Sequence, residues 1–168
     1  MARHPPLPQI EAPIDAPFDL QSYVPALINI LSASLSTSAS VSYRRHVGLN
    51  VLEWRILVQL AQRDGLSARE VADKVCQNKA PVSRAIQVLE GRGLLRVEPA
   101  ERGRRHRLSI TGAGRDAYRA ALPIAAARQQ QLLAGLREDE IVQLRSFLAR
   151  MIVQAASLAD DIGPDGGT

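Results

Sequence analysis

Residues 67–110, SAREVADKVCQNKAPVSRAIQVLEGRGLLRVEPAERGRRHRLSI, decide the fold. Ser67-Ala-Arg-Glu70 sets a hydroxyl and a carboxylate three residues apart, the reciprocal pattern that caps a helix, and predicts a short helix ending near Val75. Cys76-Gln-Asn78 is a turn, and a second helix follows from about Lys79 to Leu89. Val82, Ile86 and Leu89 form its apolar side, and Gly91 and Gly93 supply its exit. LLRVEP then reads as a strand, AERGRR as a glycine-containing turn, and HRLSI as a second strand with alternating Arg107, Leu108, Ser109 and Ile110. Helix, short turn, helix and an Arg-rich hairpin is the order of a winged helix-turn-helix.

Outward from this stretch the chain is helical. Asn50-Val-Leu-Glu53 is another capping box and opens a helix through Leu60. Upstream, Leu20, Val24, Leu27, Leu31 and Leu35 recur in steps of four and three, and Pro25 belongs in a first turn. A helix from near Ser22 to about His46 is expected. Downstream, Thr111 caps a helix beginning TGAGRDAYRA, which Pro123 kinks or divides before it ends at about Leu133, ahead of Gly135. Ile141, Leu144, Leu148, Met151, Ala155 and Leu158 make a last seam. Neither terminal seam can bury itself alone, so the two are expected to pack on each other and on a second copy. Leu20, Val24, Leu27, Leu31, Ile141, Leu144, Leu148 and Met151 are the dimerisation set.

The expected fold class is mainly α with a small β-wing: a winged helix-turn-helix lobe plus N- and C-terminal helices that form an all-helical dimerisation region. Residues 1–17 hold five of the ten prolines and read as a flexible arm. Residues 18–48 and 124–160 form the dimerisation region, residues 49–123 the lobe and residues 161–168 a disordered tail.

Composition narrows the function. The 168 residues are 46% hydrophobic, 23% charged and only 4% aromatic, so aliphatic side chains must fill the core. The lone Cys76 excludes a disulfide scaffold and an all-cysteine zinc site. Because no run of about 18 apolar residues is uninterrupted and MARHPPLPQIEAP lacks an apolar signal core, a cytoplasmic protein that spans no membrane is expected. His4, His46 and His106 have no metal-ligand spacing, and no G-x-S-x-G, H-E-x-x-H, Walker or G-x-G-x-x-G pattern occurs. Neither an enzyme nor a bound metal or cofactor is expected.

The formal charge of +4 hides a segregation. Residues 44–128 carry 17 basic and eight acidic side chains, net +9, between acidic ends of −2 and −3. Such a basic middle suits a polyanion. Asn78, Lys79, Pro81, Ser83, Arg84 and Gln87 lie on the N-terminal outer face of the second helix, small or polar enough to approach base edges. Arg-Gly-Arg-Arg-His-Arg at 102–107 puts four guanidinium groups on one turn, which suits the negative potential of a narrow minor groove. A solvated helix face and a solvated loop are the plain alternatives.

GLNVLEWRIL, LSAREVADKV, APVSRAIQVLEGRGLLRVE and RLSITGAGR together resemble the MarR family of dimeric bacterial transcriptional regulators, over about residues 20–158. The resemblance implies a homodimer whose two winged lobes straddle a pseudo-palindromic DNA operator, with half-sites about one helical turn apart. By position, Pro81, Val82, Ser83, Arg84 and Gln87 fall on or beside the groove-reading face, Arg104 is the wing arginine, and Leu89, Leu94 and Leu108 are core. The family often has an Asp two residues before that arginine, where this chain has Arg102. The DNA-contacting set is then Ser67, Asn78, Lys79, Pro81, Val82, Ser83, Arg84, Gln87, Arg102, Arg104, Arg105 and Arg107.

The resemblance also implies a repressor released by a small effector bound in a crevice between the first long helix, the next helix and the helix after the wing. Tyr43, Arg44, Arg45, His46, Trp54 and Tyr118 are the residues so placed. Cations beside aromatic rings suit an anionic aromatic or heteroaromatic carboxylate, although Trp54 and Tyr118 equally suit core positions. Two other functions compete: a thiol-based redox sensor acting through Cys76, beside Lys74 and Lys79, and a winged-helix module that binds protein.

Overall fold

The computed structural model describes residues 19–99 and 106–160. Six helices and one hairpin follow in order: α1 (Val24–Val47), α2 (Val51–Gln62), α3 (Ala68–Lys74), α4 (Lys79–Gly91), β1 (Leu95–Glu98), β2 (Arg107–Ile110), α5 (Gly112–Leu133) and α6 (Glu138–Asp160).

Local chemistry sets most boundaries. Pro25 lies in the first turn of α1, and Gly48 ends the helix in the left-handed region, its N–H donating to the Arg44 carbonyl. Arg44, Arg45 and His46 occupy the last turn, where cations offset the helix dipole. Both expected capping boxes form. Asn50 Oδ1 accepts from the Glu53 N–H at 2.9 Å while Glu53 Oε2 accepts from the Asn50 N–H at 2.9 Å. At α3, Ser67 Oγ accepts from the Glu70 N–H at 3.3 Å and Glu70 Oε2 accepts from the Ser67 N–H at 2.8 Å.

The wing strands are antiparallel, with Leu95 opposite Ile110 and Glu98 opposite Arg107. Leu66 adds an isolated bridge to Leu108. Thr111 Oγ1 donates to the Gly93 carbonyl and accepts from the Gly114 N–H, joining the base of the wing to the start of α5. Gly114 is obligatory there, because a Cβ would overlap the Leu94 carbonyl oxygen. Pro123 was expected to kink or divide this helix, yet α5 runs unbroken through it.

Residues 19–129 form one compact unit. Its larger core joins Leu49, Ile56, Leu57 and Leu60 of the α2 region to Val71, Val82, Ile86, Leu89, Leu95 and Leu108. Each fully buried aliphatic side chain of this kind contributes about 1.5–3 kcal/mol. A smaller cluster joins Ala39 and Tyr43 of α1 to Ala121 of α5, with Val51 and Trp54 packed against it. By length and mean hydropathy (1.4), α1 could cross a membrane. The count of uninterrupted apolar residues misses this, because Asn29 and seven Ser or Thr residues punctuate the helix. Its C-terminal half instead packs into the globular unit through Ala39 and Tyr43.

The second unit begins at Gln130 and contains α6. Glu138, Asp139 and Glu140 fill the first turn of α6, and Glu140 Oε2 accepts from the Arg137 N–H at 2.8 Å. Within that helix Ile141, Leu144 and Met151 are half-buried, whereas Phe147, Leu148, Ile152 and Val153 face solvent.

Candidate nucleic-acid interface and effector site

The helix-turn-helix is held from behind. Val71, Ala72 and Val75 anchor α3, and Val82, Ala85, Ile86 and Leu89 anchor α4. Because one side of α4 is committed to the core, the other must present Lys79, Ser83, Arg84 and Gln87 outward, with Asn78 at the helix start. Lys79, Ser83 and Gln87 repeat every fourth residue and so share one stripe, with Arg84 beside it. Neither Lys79 nor Arg84 has an ion-pair partner among the described residues. A stripe of polar side chains with two unpaired cations can enter a groove and meet base edges and phosphates together.

Two expected contacts are corrected. Val82 is 1% exposed and belongs to the core, so the period-based placement on the apolar side was right and the groove-face placement was not. Ser67 is buried, and its hydroxyl accepts from the Glu70 N–H and donates its one proton to Glu70 Oε2, leaving no donor for a phosphate. Pro81 is half-buried. Arg102, Arg104 and Arg105 lie outside the described residues, as do the expected arm (1–17) and tail (161–168).

Arg107 is exposed at the loop end of the wing strands, opposite Glu98, and its Nη1 donates to the Gly65 carbonyl at 2.6 Å. Asp64 braces the base of the wing: Oδ1 accepts from the Ile110 N–H at 2.9 Å, and Oδ2 pairs with Arg115 Nη2 at 2.6 Å. Glu70 is held below the usual carboxylate range, first by the Ser67 N–H and hydroxyl and then by Arg63 and Arg107. Arg63 and Arg69 are further exposed cations beside α3 that residue patterning missed, although Arg69 stands on the outer side of a capped helix.

Of the expected effector residues, the structure brings Tyr43 and Trp54 together, their rings stacked at 4.7 Å and 20°. Tyr43 is almost fully buried, and burial raises its phenol pKa against the opposing pull of the Arg128 and Arg55 charges. The Trp54 indole N–H is buried without an acceptor among the described residues. Arg44, Arg45 and His46 face solvent on α1, and His46 Nδ1 bonds back to the Ser42 carbonyl at 2.8 Å. Tyr118 packs on the larger core, not on the cluster that holds Tyr43. The cations that act on Tyr43 are Arg55 and Arg128, neither foreseen. Arg128 Nη2 also donates to the Leu35 carbonyl and to Ser38 Oγ, at 3.1 and 2.9 Å, linking α5 to α1. Cys76 is free and exposed, and its φ of 51° places it in the left-handed region. Among the described residues no group of three His, Cys, Asp or Glu could hold a metal ion.

A helix-turn-helix backed by one core, with a two-stranded wing and an outward cationic stripe, defines a winged-helix DNA-binding protein. Residues 47–106 match the model of the MarR family. Compared with curated proteins by sequence, the chain has no match. Among solved structures it is similar to a MarR/EmrR family transcriptional regulator from Acinetobacter sp. ADP1, at 28% identity over 83% of this chain and 99% of that one, with a TM-score of 0.77. It is also similar to the PcaV regulator of Streptomyces coelicolor, solved with its natural ligand, at 24% identity over 83% of this chain and 99% of that one, TM-score 0.72. A third is S. aureus MepR in complex with DNA, at 20% identity over 80% of this chain and 98% of that one, TM-score 0.70. Over residues 47–106, and in fold over most of its length, the chain is thus similar to MarR-family winged-helix transcriptional regulators.

Proposed function

We propose that the protein is a cytoplasmic repressor that binds a pseudo-palindromic operator as a homodimer and leaves it when an aromatic or heteroaromatic carboxylate binds. The observation that carries this reading is the outward stripe of Lys79, Ser83, Arg84 and Gln87 on a helix whose other side is locked in the core. Two such helices related by a two-fold axis read two half-sites, and the operator mirrors that symmetry.

Unpartnered apolar surface supports the dimer. In the first unit Leu20, Val24, Leu27, Ile28 and Leu31 stand in water, and in the second Phe147, Leu148, Ile152 and Val153 do. Contiguous apolar faces of this kind mark association surfaces, and a second copy supplies matching ones. Residues 18–48 and 124–160 are the proposed dimerisation region and 49–123 the DNA-binding lobe. PcaV bound to its natural ligand and MepR bound to DNA supply the precedent for both kinds of partner. Arg55 and Arg128 set positive charge beside the stacked Tyr43–Trp54 pair, which supports an anionic aromatic effector.

Sedimentation of the pure protein, followed by gel shifts with a duplex from beside its own gene, tests the reading. A dimer that shifts this duplex at low salt and releases it with an aromatic acid is expected. A monomer, or a duplex left unshifted in dilute buffer, contradicts it. Release by peroxide that is lost in Cys76→Ser assigns the response to the thiol instead.

A further inference from the structure

Strand β2 is held along both of its edges. One edge pairs with β1, and the other is gripped by residues 64–66, the turn that leads from α2 to Ser67 at the start of α3. The Leu108 N–H donates to the Leu66 carbonyl at 2.8 Å, and the Gly65 N–H donates to the Leu108 carbonyl at 2.9 Å. Further along this edge, Asp64 puts a side chain where a strand would put backbone: Oδ1 takes the Ile110 N–H, while Oδ2 holds Arg115 on α5. Gly65 makes the turn possible with a φ of 77°, in the left-handed region. Its carbonyl accepts from Arg107 Nη1, and Nε and Nη2 of that guanidinium have no hydrogen-bond partner among the described residues. The turn therefore fixes both the strand and the direction of one free cationic edge.

Exposure separates this role from plain stabilisation. The Asp64 and Arg115 side chains are 44% and 41% exposed, and ion pairs this wet add little to stability. Bonds from two elements nevertheless converge on one carboxylate, and that convergence fixes orientation. We infer that Asp64 is a positioning residue for DNA binding: it holds β2 at a fixed tilt against the helix-turn-helix and so aims Arg107 at a backbone phosphate. The inference rests on the DNA-binding reading above. It also sets position against charge, because an acidic side chain is made to assist the binding of a polyanion. By charge alone, removal of Asp64 strengthens the hold on DNA; through position, it weakens it.

The experiment titrates full-length parent, Asp64→Ala, Asp64→Asn and Ile56→Val against the duplex from beside the gene at several salt concentrations, with a melting curve for each. Ile56→Val controls for lost stability, since it removes one buried carbon from α2 and leaves the turn intact. Asp64→Ala is expected to bind about tenfold more weakly and to flatten the plot of log affinity against log salt by about 0.9 per bound copy, the loss of one phosphate contact. Asp64→Asn, whose side-chain carbonyl still accepts from Ile110, is expected to regain part of the affinity, and Ile56→Val to bind as the parent does. Without DNA, Asp64→Ala is expected to speed amide exchange severalfold at Leu108, whose own acceptor is untouched. Unchanged exchange at Leu108 overturns the inference, and so does an Asp64→Ala protein that binds as tightly as the parent or more tightly. Equal losses in Asp64→Ala and Ile56→Val also overturn it, by assigning the effect to stability. A parent that leaves the duplex unshifted contradicts DNA binding itself and the positioning role with it, a result distinct from a parent and an Asp64→Ala protein that bind alike.

Discussion

Arg92, the residue that closes α4, donates from Nη1 to the carbonyl oxygen of Gly48, the residue that closes α1, at 2.9 Å. The same nitrogen lies 3.6 Å from Oε2 of Glu53, the buried carboxylate that caps α2. One guanidinium thus ties the end of α4 to the joint between α1 and α2. A charged donor on a carbonyl contributes about 1.5–3 kcal/mol, and partial exposure puts this contact at the lower end. Arg92→Ala is expected to lower stability by about 1–2 kcal/mol and to speed amide exchange at Gly48–Asn50. Unchanged exchange at that joint would show that α1 and α4 are not coupled there.

Gly114 gives a test of packing at the base of the wing. Its missing Cβ lets α5 start against the Leu94 carbonyl, so Gly114→Ala forces backbone to move. The expected cost is about 2–3 kcal/mol, since overpacking against backbone cannot be relieved by a rotamer change. Denaturant melts of both proteins check it, and a cost below about 0.5 kcal/mol contradicts the close approach.

Glu70 makes the stability of α3 depend on acid. Its folded pKa lies below the ordinary value of 4.5, because the ionised carboxylate accepts from the Ser67 N–H and hydroxyl. A group depressed on folding stabilises above its unfolded pKa and loses that contribution as pH falls through the folded one. Glu70→Gln is therefore expected to be less stable than the parent at neutral pH, with the gap closing below pH 4.5. Thermal melts across that range check the sign, and a gap that widens in acid reverses it.

The legible parts of this molecule are those whose partners are close in sequence. Both capping boxes span three residues and form as read. The apolar side of α4 follows from its own period, which placed Val82 correctly in the core where positional likeness put it in the groove. Contacts made by distant residues left no such trace. Arg128 reaches Leu35 across 93 positions and Arg92 reaches Gly48 across 44, because packing of α1, α2, α4 and α5 brings them together. The effector residues suffered most: Arg44, Arg45 and His46 sit one beside another in sequence near Tyr43, but a helix turns neighbours to different faces. Arg55 and Arg128, which act on Tyr43, come from α2 and α5.

The DNA-facing claim is tested most directly by the salt dependence of duplex binding in the parent, in Lys79→Ala and in Arg84→Ala, with Arg119→Ala as control. Arg119 pairs with Asp116 on α5 and stands outside the proposed interface. Each phosphate contact steepens the plot of log affinity against log salt by about 0.9. Removing a cation that holds phosphate should flatten the plot by about that amount per bound copy, and one that holds a base edge should weaken binding with the slope kept. The expected result is a loss of at least tenfold in affinity for both α4 variants and none for Arg119→Ala. Equal affinities and slopes for all four proteins would contradict a groove-reading role for α4.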